Sequence, residues 1–320
     1  MILVTGTKRS GTSMWMQIVI NAGFPFLGRD YMGVWKESIQ QANPEGFFES
    51  KLRFGINYKN NPNPQNGVYL HPRPTAKYAC KVFVPGLIKT DFAFIHRVLA
   101  TIRPWNEYCT SIRRLLAMEE AFYLEQPDVE GEYPNSIKAI LRRPNEHPAM
   151  IWWRDNFDLV FDALTRQYPV NIVAYDRLLE APQEVIPPVL EWCNKPLRDD
   201  LFPPKPISKL DLDKAVATVQ PKLRTQKESS VDDHNLPDDI LQTFQEFYDC
   251  FHNGQSRLSK AFREELNETH KRIQPLRTEM GRQILSTKRN DLREAGLSDE
   301  EIKKALFSKS ENKAFLSPKS

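Results

Sequence analysis

The sequence predicts an α/β fold, with a parallel sheet flanked by helices and followed by a helical C-terminal appendage. Short apolar segments alternate with helical stretches over residues 1–203, which is the pattern of strand–helix–strand units in a parallel sheet. Beyond this region no strand pattern is found, and residues 255–308 are charged with apolar residues at helical spacing. The chain has 320 residues, 40% of them hydrophobic, which is enough for one core with an appendage.

The first predicted strand and helix enclose a glycine-flanked loop, residues 6–11. Residues 2–5 (Ile-Leu-Val-Thr) have the apolar sequence of a buried strand, and an apolar helical pattern starts at Thr12. Such a unit presents backbone N–H groups and the positive end of a helix dipole to a phosphate. The alternative is a plain turn with incidental charges. We favour phosphate binding because the hydroxyls of Thr12 and Ser13 and two loop cations converge on one helix start.

The glycine spacing of this loop matches a P-loop, but the residue after the second glycine does not. Thr12 follows Gly11 where a nucleoside triphosphatase needs a lysine for the β- and γ-phosphates. The cations Lys8 and Arg9 precede Gly11 instead. The loop is therefore predicted to hold a phosphate and to be poorly suited to magnesium-dependent phosphoryl transfer. A P-loop nucleotide kinase remains the alternative enzyme.

The other elements follow from apolar runs and their Pro and Gly boundaries. Further strands are predicted at 78–84, 97–103 and 170–175, and helices at 89–96, 105–125, 147–167, 182–194 and 238–251. Residues 127–147 are predicted to be a loop, and the Asn-, Pro- and Gly-rich residues 55–77 a lid or a plain excursion. Ligands of parallel sheets bind at the carboxyl ends of the strands, so we expect the site there.

Four regions are predicted along the chain. They are an α/β core at 1–203, a helical completion of the core at 204–254, a charged amphipathic appendage at 255–308 and a disordered tail at 309–320. The appendage is expected to pack on the core, to cap the site or to pair with another subunit. A homodimer through the C-terminal helices is therefore one of the open alternatives.

Three segments resemble sulfotransferases that use 3′-phosphoadenosine 5′-phosphosulfate (PAPS). The loop 8–13, Lys-Arg-Ser-Gly-Thr-Ser, is similar to the family's 5′-phosphosulfate loop. Arg103 at the end of the third predicted strand, with Ser111 eight residues later, resembles the family's 3′-phosphate site, where a guanidinium fork suits a phosphate. Tyr175 is similar to a tyrosine that lies near the adenine of PAPS in this family. Its position also fits a tyrosine that only packs at the edge of the hydrophobic core. These matches cover about residues 1–200 in the family's order.

The resemblance implies a P-loop-like sulfotransferase fold of the bacterial soluble type. The implied reaction transfers a sulfuryl group from PAPS to a hydroxyl or amine and releases 3′,5′-ADP. Such an in-line displacement depends on positioning and charge neutralisation, and no metal is required. The implied cofactor-binding residues are Lys8, Arg9, Ser10, Gly11, Thr12, Ser13, Arg103, Ser111 and Tyr175. Arg9 and Lys81 are the implied catalytic cations.

The general base is where this sequence departs from the family. The cytosolic branch has a histidine in a K-T-H-x-P segment, but residues 81–85 read Lys-Val-Phe-Val-Pro, with Phe83 in its place. Golgi-type relatives use a glutamate after the first helix, and that position falls on Asp30, our first candidate. Further carboxylates held in reserve are Glu37, Glu45 and Glu49. The missing histidine leaves open a catalytically silent protein that binds 3′-phosphoadenosine nucleotides.

Composition limits the expected partners. The net charge of +3 is too small to indicate nucleic acid, and no apolar run approaches the roughly 20 residues of a membrane span. The four cysteines are scattered without a CxxC pair, which indicates a reducing compartment, and no secretion signal is recognised. We therefore expect a cytoplasmic protein that acts on a small-molecule acceptor and contacts neither nucleic acid nor membrane.

Overall fold

A five-stranded parallel sheet forms the centre of the fold. The computed structural model describes residues 1–31, 36, 39–196, 205–219, 236–253 and 259–307. The strands are β1 (Ile2–Gly6), β2 (Phe26–Leu27), β3 (Ala79–Lys81), β4 (Arg97–Ile102) and β5 (Val170–Ala174), in the order β2-β3-β1-β4-β5. All neighbours in the sheet are parallel, which confirms the predicted α/β fold with a parallel sheet.

Helices follow the strands and cover the sheet. The α-helices are α1 (Thr12–Asn21), α2 (Val84–Ile88), α3 (Trp105–Glu125), α4 (Asn135–Arg142), α5 (Pro148–Arg166), α6 (Tyr175–Glu180), α7 (Pro182–Asn194), α8 (Leu212–Ala217), α9 (Asp238–His252), α10 (Lys260–Glu294) and α11 (Asp299–Phe307). None of the helices within the described ranges is both long and apolar enough to cross a membrane.

The strand β1 is the central strand and is buried along its whole length. Ile2 pairs with Ala79 on one side and with Arg97 on the other. Its side chains alternate between two apolar layers, because successive residues of a strand point to opposite faces. Ile2 and Val4 pack with α1 and α7, whereas Leu3 packs with α2 and α5. A sheet covered on both faces explains why β1 has an uninterrupted apolar sequence.

Several predicted boundaries were wrong around the second long strand. The strand predicted at 78–84 ends at Lys81, and Val84–Ile88 is already helical. Pro85 lies in the first turn of this helix, where a proline costs no hydrogen bond. The helix predicted at 89–96 is therefore absent, and that stretch contains only a 3₁₀ turn, Phe92–Phe94.

Two other local predictions need correction. The loop predicted at 127–147 contains α4, whose isoleucines Ile137 and Ile140 pack against α10 and α11. Tyr175, predicted as the end of the fourth long strand, is the first residue of α6. The short extended segment after the first helix is the edge strand β2, which pairs with β3.

The C-terminal helices pack on the same chain. Phe244 of α9 stacks on Trp153 of α5, with ring centroids 4.9 Å apart. The N-terminal half of α10 joins this cluster through Leu266 and Ile273, and its C-terminal end packs Leu292 on α4. The predicted boundaries at 203–204 and 254–255 and the tail 309–320 lie outside the described residues.

Candidate functional site

The loop between β1 and α1 has a strained backbone that faces the start of the helix. Arg9 and Gly11 both have positive φ, 77° and 103°. Gly11 is the N-cap of α1 and makes no side-chain capping bond. A β-carbon on Gly11 would lie 2.8 Å from Cδ2 of Tyr175, so the ring packs directly on the loop. The amide groups at this helix start therefore face a position suited to an anion.

Two side chains from the core fix this loop from below. The Thr101 hydroxyl of β4 donates to the Ser10 carbonyl at 3.0 Å. The Asn156 amide of α5 donates to the Thr7 hydroxyl at 3.3 Å. The Ser10 side chain itself is buried beneath the loop, with 1% of its surface exposed. The loop is thus held by β4 and α5 rather than only by its own turn.

The loop, the ends of β3 and β4, and α3 enclose one cleft. The predicted site residues that line it are Lys8, Arg9, Gly11, Thr12, Ser13, Lys81, Arg103, Ser111 and Tyr175. Ser10 supports the loop without lining the cleft. Asp30 is exposed and lies outside the residues that line the cleft, as does the exposed Glu45, whereas Glu49 lines it. Glu37 lies outside the described residues.

Arg9 links the loop to α3. Its Nε donates to Ser111 Oγ at 3.2 Å, and its Nη2 donates to the Ala42 carbonyl at 3.0 Å. Burial and, to a smaller extent, the neighbouring Arg103 lower the pKa of Arg9 to about 10. Arg9 therefore stays cationic at neutral pH. Lys8 lies at the rim of the cleft, partly exposed, with its Nζ 3.7 Å from Glu119.

Arg103 is buried at the end of β4 and is held on several sides. Its Nε and Nη2 donate to Oε2 of Glu107, at 3.3 and 3.1 Å, and its Nη1 donates to the Arg9 carbonyl at 3.3 Å. The guanidinium carbon lies 4.8 Å from the centre of the Tyr175 ring. The Trp152 indole donates to the Arg103 carbonyl at 2.8 Å, which ties the cleft to the core.

Two further charged residues of α3 belong to this end of the cleft. Glu107 holds Arg103, and Arg114 lines the cleft beside Ser111. Sequence reasoning missed both. The signal that could have found them is their spacing in the sequence. Glu107 lies four residues after Arg103, and Arg114 lies three residues after Ser111. Side chains at these separations lie on the same side of a helical turn.

A buried ion pair also lines the cleft. Lys81 Nζ lies 3.0 Å from Oε1 of Glu49 and donates to Ser13 Oγ at 2.9 Å and to the Phe47 carbonyl at 3.0 Å. Burial lowers the pKa of Lys81, and the Glu49 carboxylate opposes this shift. The centre of the Phe83 ring lies 5.7 Å from Lys81 Nζ.

Among the described residues, five cations and one carboxylate line the cleft: Lys8, Arg9, Lys81, Arg103 and Arg114, with Glu49. Such a cleft can hold a ligand that carries more than one negatively charged group.

No family model, curated protein or solved structure matches this chain.

Proposed function

We propose that this chain is a PAPS-dependent sulfotransferase with a P-loop-like fold, which transfers a sulfuryl group to a hydroxyl or amine. The observation that carries the proposal is that two anion-binding motifs, far apart in the sequence, share one cleft. The hydrogen bond from Arg9 Nε to Ser111 Oγ joins them directly. This supports a ligand with a phosphate at each end, such as 3′-phosphoadenosine 5′-phosphosulfate.

The residues present fit such a cosubstrate. Arg103, Ser111 and Arg114 supply cations and a hydroxyl for a 3′-phosphate, and the start of α1 supplies N–H groups for the 5′-phosphate. Tyr175 lies between them against Gly11 and offers a ring face for the adenine. An incoming acceptor oxygen forms a bond to sulfur while the bond from sulfur to the bridging phosphate oxygen breaks. Arg9 and Lys81 stabilise the charge that develops on the oxygens.

Glu49 replaces Asp30 as our candidate for the base. Glu49 lines the cleft beside Lys81, whereas Asp30 is exposed outside it. The proton of the acceptor passes to Glu49 as the new bond to sulfur forms. A general base must be a carboxylate within reach of the reacting atoms. This favours Glu49, because it alone of the candidate carboxylates in the described part of the chain lines the cleft.

The nucleotide kinase is the weaker candidate. The two strands that flank β1 lead into Lys81 and Arg103, which are cations. A magnesium-dependent phosphoryl transfer calls for a carboxylate ligand at such a strand end and a lysine after Gly11. The chain instead has the cations Lys81 and Arg103 at these strand ends, and Thr12 follows Gly11.

The proposal also covers location and partners. Three of the four cysteines, Cys80, Cys109 and Cys193, are buried free thiols, which supports a reducing, cytoplasmic compartment. The acceptor is proposed to be a small molecule because the reacting groups lie inside a cleft. A homodimer through the C-terminal helices stays a prediction, and the apolar side chains of α10 pack within the chain.

Calorimetric titration tests the proposal. We expect 3′,5′-ADP to bind more tightly than ATP with magnesium. Arg103→Ala should weaken 3′,5′-ADP binding by about 10- to 100-fold, because charge-assisted hydrogen bonds are worth about 1.5–3 kcal/mol. Arg263→Ala, which removes an exposed arginine of α10, is the matched control and should bind as wild type. Preference for ATP, or equal binding by a folded Arg103→Ala variant, would contradict the proposal.

A further inference from the structure

We propose that Arg53 is a positioning residue that holds Glu49 in place as the base while Lys81 turns to the sulfuryl group. This inference rests on the proposed function. Arg53 Nη1 donates to Oε2 of Glu49 at 3.0 Å, and Lys81 Nζ lies 3.0 Å from Oε1. Each oxygen of this carboxylate therefore has its own cation. All three side chains are at most 10% exposed.

The three acceptors of Lys81 explain why a second cation is needed. An ammonium group has three N–H donors, and Lys81 directs them to Ser13, Phe47 and Glu49. To stabilise a sulfuryl oxygen, Lys81 must give up one of these partners. If Lys81 alone held Glu49, the carboxylate would lose its position at the moment when it is needed. Arg53 holds the other oxygen independently of Lys81.

Arg53 is itself fixed by its backbone. It lies in a 3₁₀ turn, Lys51–Phe54, that is capped by the Ser50 hydroxyl, and its carbonyl accepts a bond from the Phe83 amide at 3.0 Å. A β-carbon on Gly86 would lie only 2.5 Å from the Arg53 carbonyl, so the turn packs directly on the start of α2. This contact ties the position of Arg53 to the end of β3, which also carries Lys81.

The charge around Glu49 makes the role measurable. The cations that face it are Lys81 from β3 and Arg53 from the 3₁₀ turn, and Arg9 and Lys8 act on Lys81 at longer range. Without Arg53, Lys81 is left to hold this carboxylate and must leave it to reach the sulfuryl group. Loss of Arg53 should therefore lower kcat while the binding of 3′,5′-ADP is kept.

The test measures cleavage of PAPS by water, which needs no identified acceptor. Water attacks sulfur, the bond to the bridging phosphate oxygen breaks, the water proton passes to Glu49, and sulfate and 3′,5′-ADP are released. Arg53→Gln should lower the rate at saturating PAPS about 10- to 100-fold and leave the KM for PAPS near its wild-type value. Its affinity for 3′,5′-ADP should stay within about twofold of wild type, because Arg53 does not line the cleft.

Two further variants separate charge from geometry. Arg53→Lys keeps the charge and loses the fork, so we expect a rate between those of wild type and Arg53→Gln. Lys51→Gln removes an exposed cation from the same 3₁₀ turn and should leave the rate unchanged. If Arg53→Gln does not fold, a lowered rate with unchanged 3′,5′-ADP affinity in Arg53→Lys carries the test.

The outcomes distinguish this inference from the proposed function. Wild-type protein that fails to bind 3′,5′-ADP overturns both. Tight 3′,5′-ADP binding without any PAPS cleavage overturns the role of Glu49 and Arg53 and leaves a silent nucleotide-binding protein. A folded Arg53→Gln variant with the wild-type rate, or one that loses rate and 3′,5′-ADP affinity equally, overturns this inference alone.

Discussion

The ring of Tyr175 packs against Gly11 in the loop between β1 and α1, with its Cδ2 only 2.8 Å from the place of a β-carbon on that glycine. Tyr175 in turn lies under the guanidinium of Arg103, 4.8 Å from the ring centre. The loop, Tyr175 and Arg103 are therefore packed as one unit. A change at any of the three is expected to affect the other two.

Gly11→Ala tests this packing. An alanine at positive φ costs about 1–2 kcal/mol of stability by itself, and here the methyl group also displaces Tyr175. We expect 3′,5′-ADP binding to weaken by about 10-fold or more, measured by calorimetry. Gly23→Ala is the matched control, because Gly23 has φ of 97° and no atom within 4 Å of the added carbon. Equal 3′,5′-ADP affinity in the two variants would show that the Tyr175 contact has no effect on the site.

Glu49→Gln is expected to slow PAPS cleavage by about 10²- to 10⁴-fold, the usual contribution of a general base. Binding of 3′,5′-ADP should persist, because glutamine has the same shape and the nucleotide end of the cleft is untouched. Asp30→Asn is the control and should retain the wild-type rate, since Asp30 is exposed outside the cleft. If Asp30→Asn lost the activity and Glu49→Gln kept it, Asp30 would again be the candidate for the base.

The pH dependence of stability should contain a contribution from Asp155 of α5. Burial raises the pKa of this carboxyl group to about 6, from an ordinary value near 3.8. Between these two pKa values, Asp155 holds a proton more often in the folded state than in the unfolded state. The contribution of Asp155 to the free energy of unfolding therefore falls as the pH rises from 4 to 6.

Urea denaturation at pH 4, 5 and 6 measures this contribution. Asp155→Asn does not titrate, so its decline in unfolding free energy over this range should be smaller than that of wild type. Asp213→Asn, which replaces an exposed carboxyl group of α8, should keep the wild-type decline. Parallel pH curves for wild type and Asp155→Asn would contradict the assignment.

Phe244 tests whether α9 belongs to the core. This side chain is fully buried and stacks on Trp153, with ring centroids 4.9 Å apart. Phe244→Ala should lower the free energy of unfolding by about 3–5 kcal/mol, as expected for a large cavity. Phe161→Ala, at a residue of α5 that is 55% exposed, should cost far less. Similar urea midpoints for the two variants would mean that α9 contributes little to the core.

Sequence reasoning found the elements whose signals are local. The apolar run 2–5 and its flanking glycines identified β1 and the loop, because a buried parallel strand and a tight turn each leave a short, continuous pattern. Arg103 and Ser111 were predicted from their resemblance to the 3′-phosphate site of sulfotransferases, whose eight-residue spacing they share. These residues do line the cleft.

The choice between Asp30 and Glu49 could not be made from spacing. Arg29 and Glu49 pair as an antiparallel bridge, with N–O distances of 2.9 and 3.1 Å between their backbones. This pairing sets Glu49 toward Lys81 and leaves Asp30 outside. It depends on Phe48 adopting a φ of 53°, which a phenylalanine seldom does in isolation. A tertiary contact of this kind leaves no periodic signal in the chain.

The central place of β1 in the sheet has a kinetic consequence. Its neighbours, β3 and β4, begin at Ala79 and Arg97, so both pairings join segments far apart in the sequence. On the ribosome, β1 is made long before either neighbour, and its apolar residues stay unpaired until β3 emerges and gain their second partner only when β4 follows. Closing such long loops is slow, and the exposed strand is a target for chaperones and aggregation. The loop that follows β1 therefore folds only after β4, the strand that leads into Arg103, has been made.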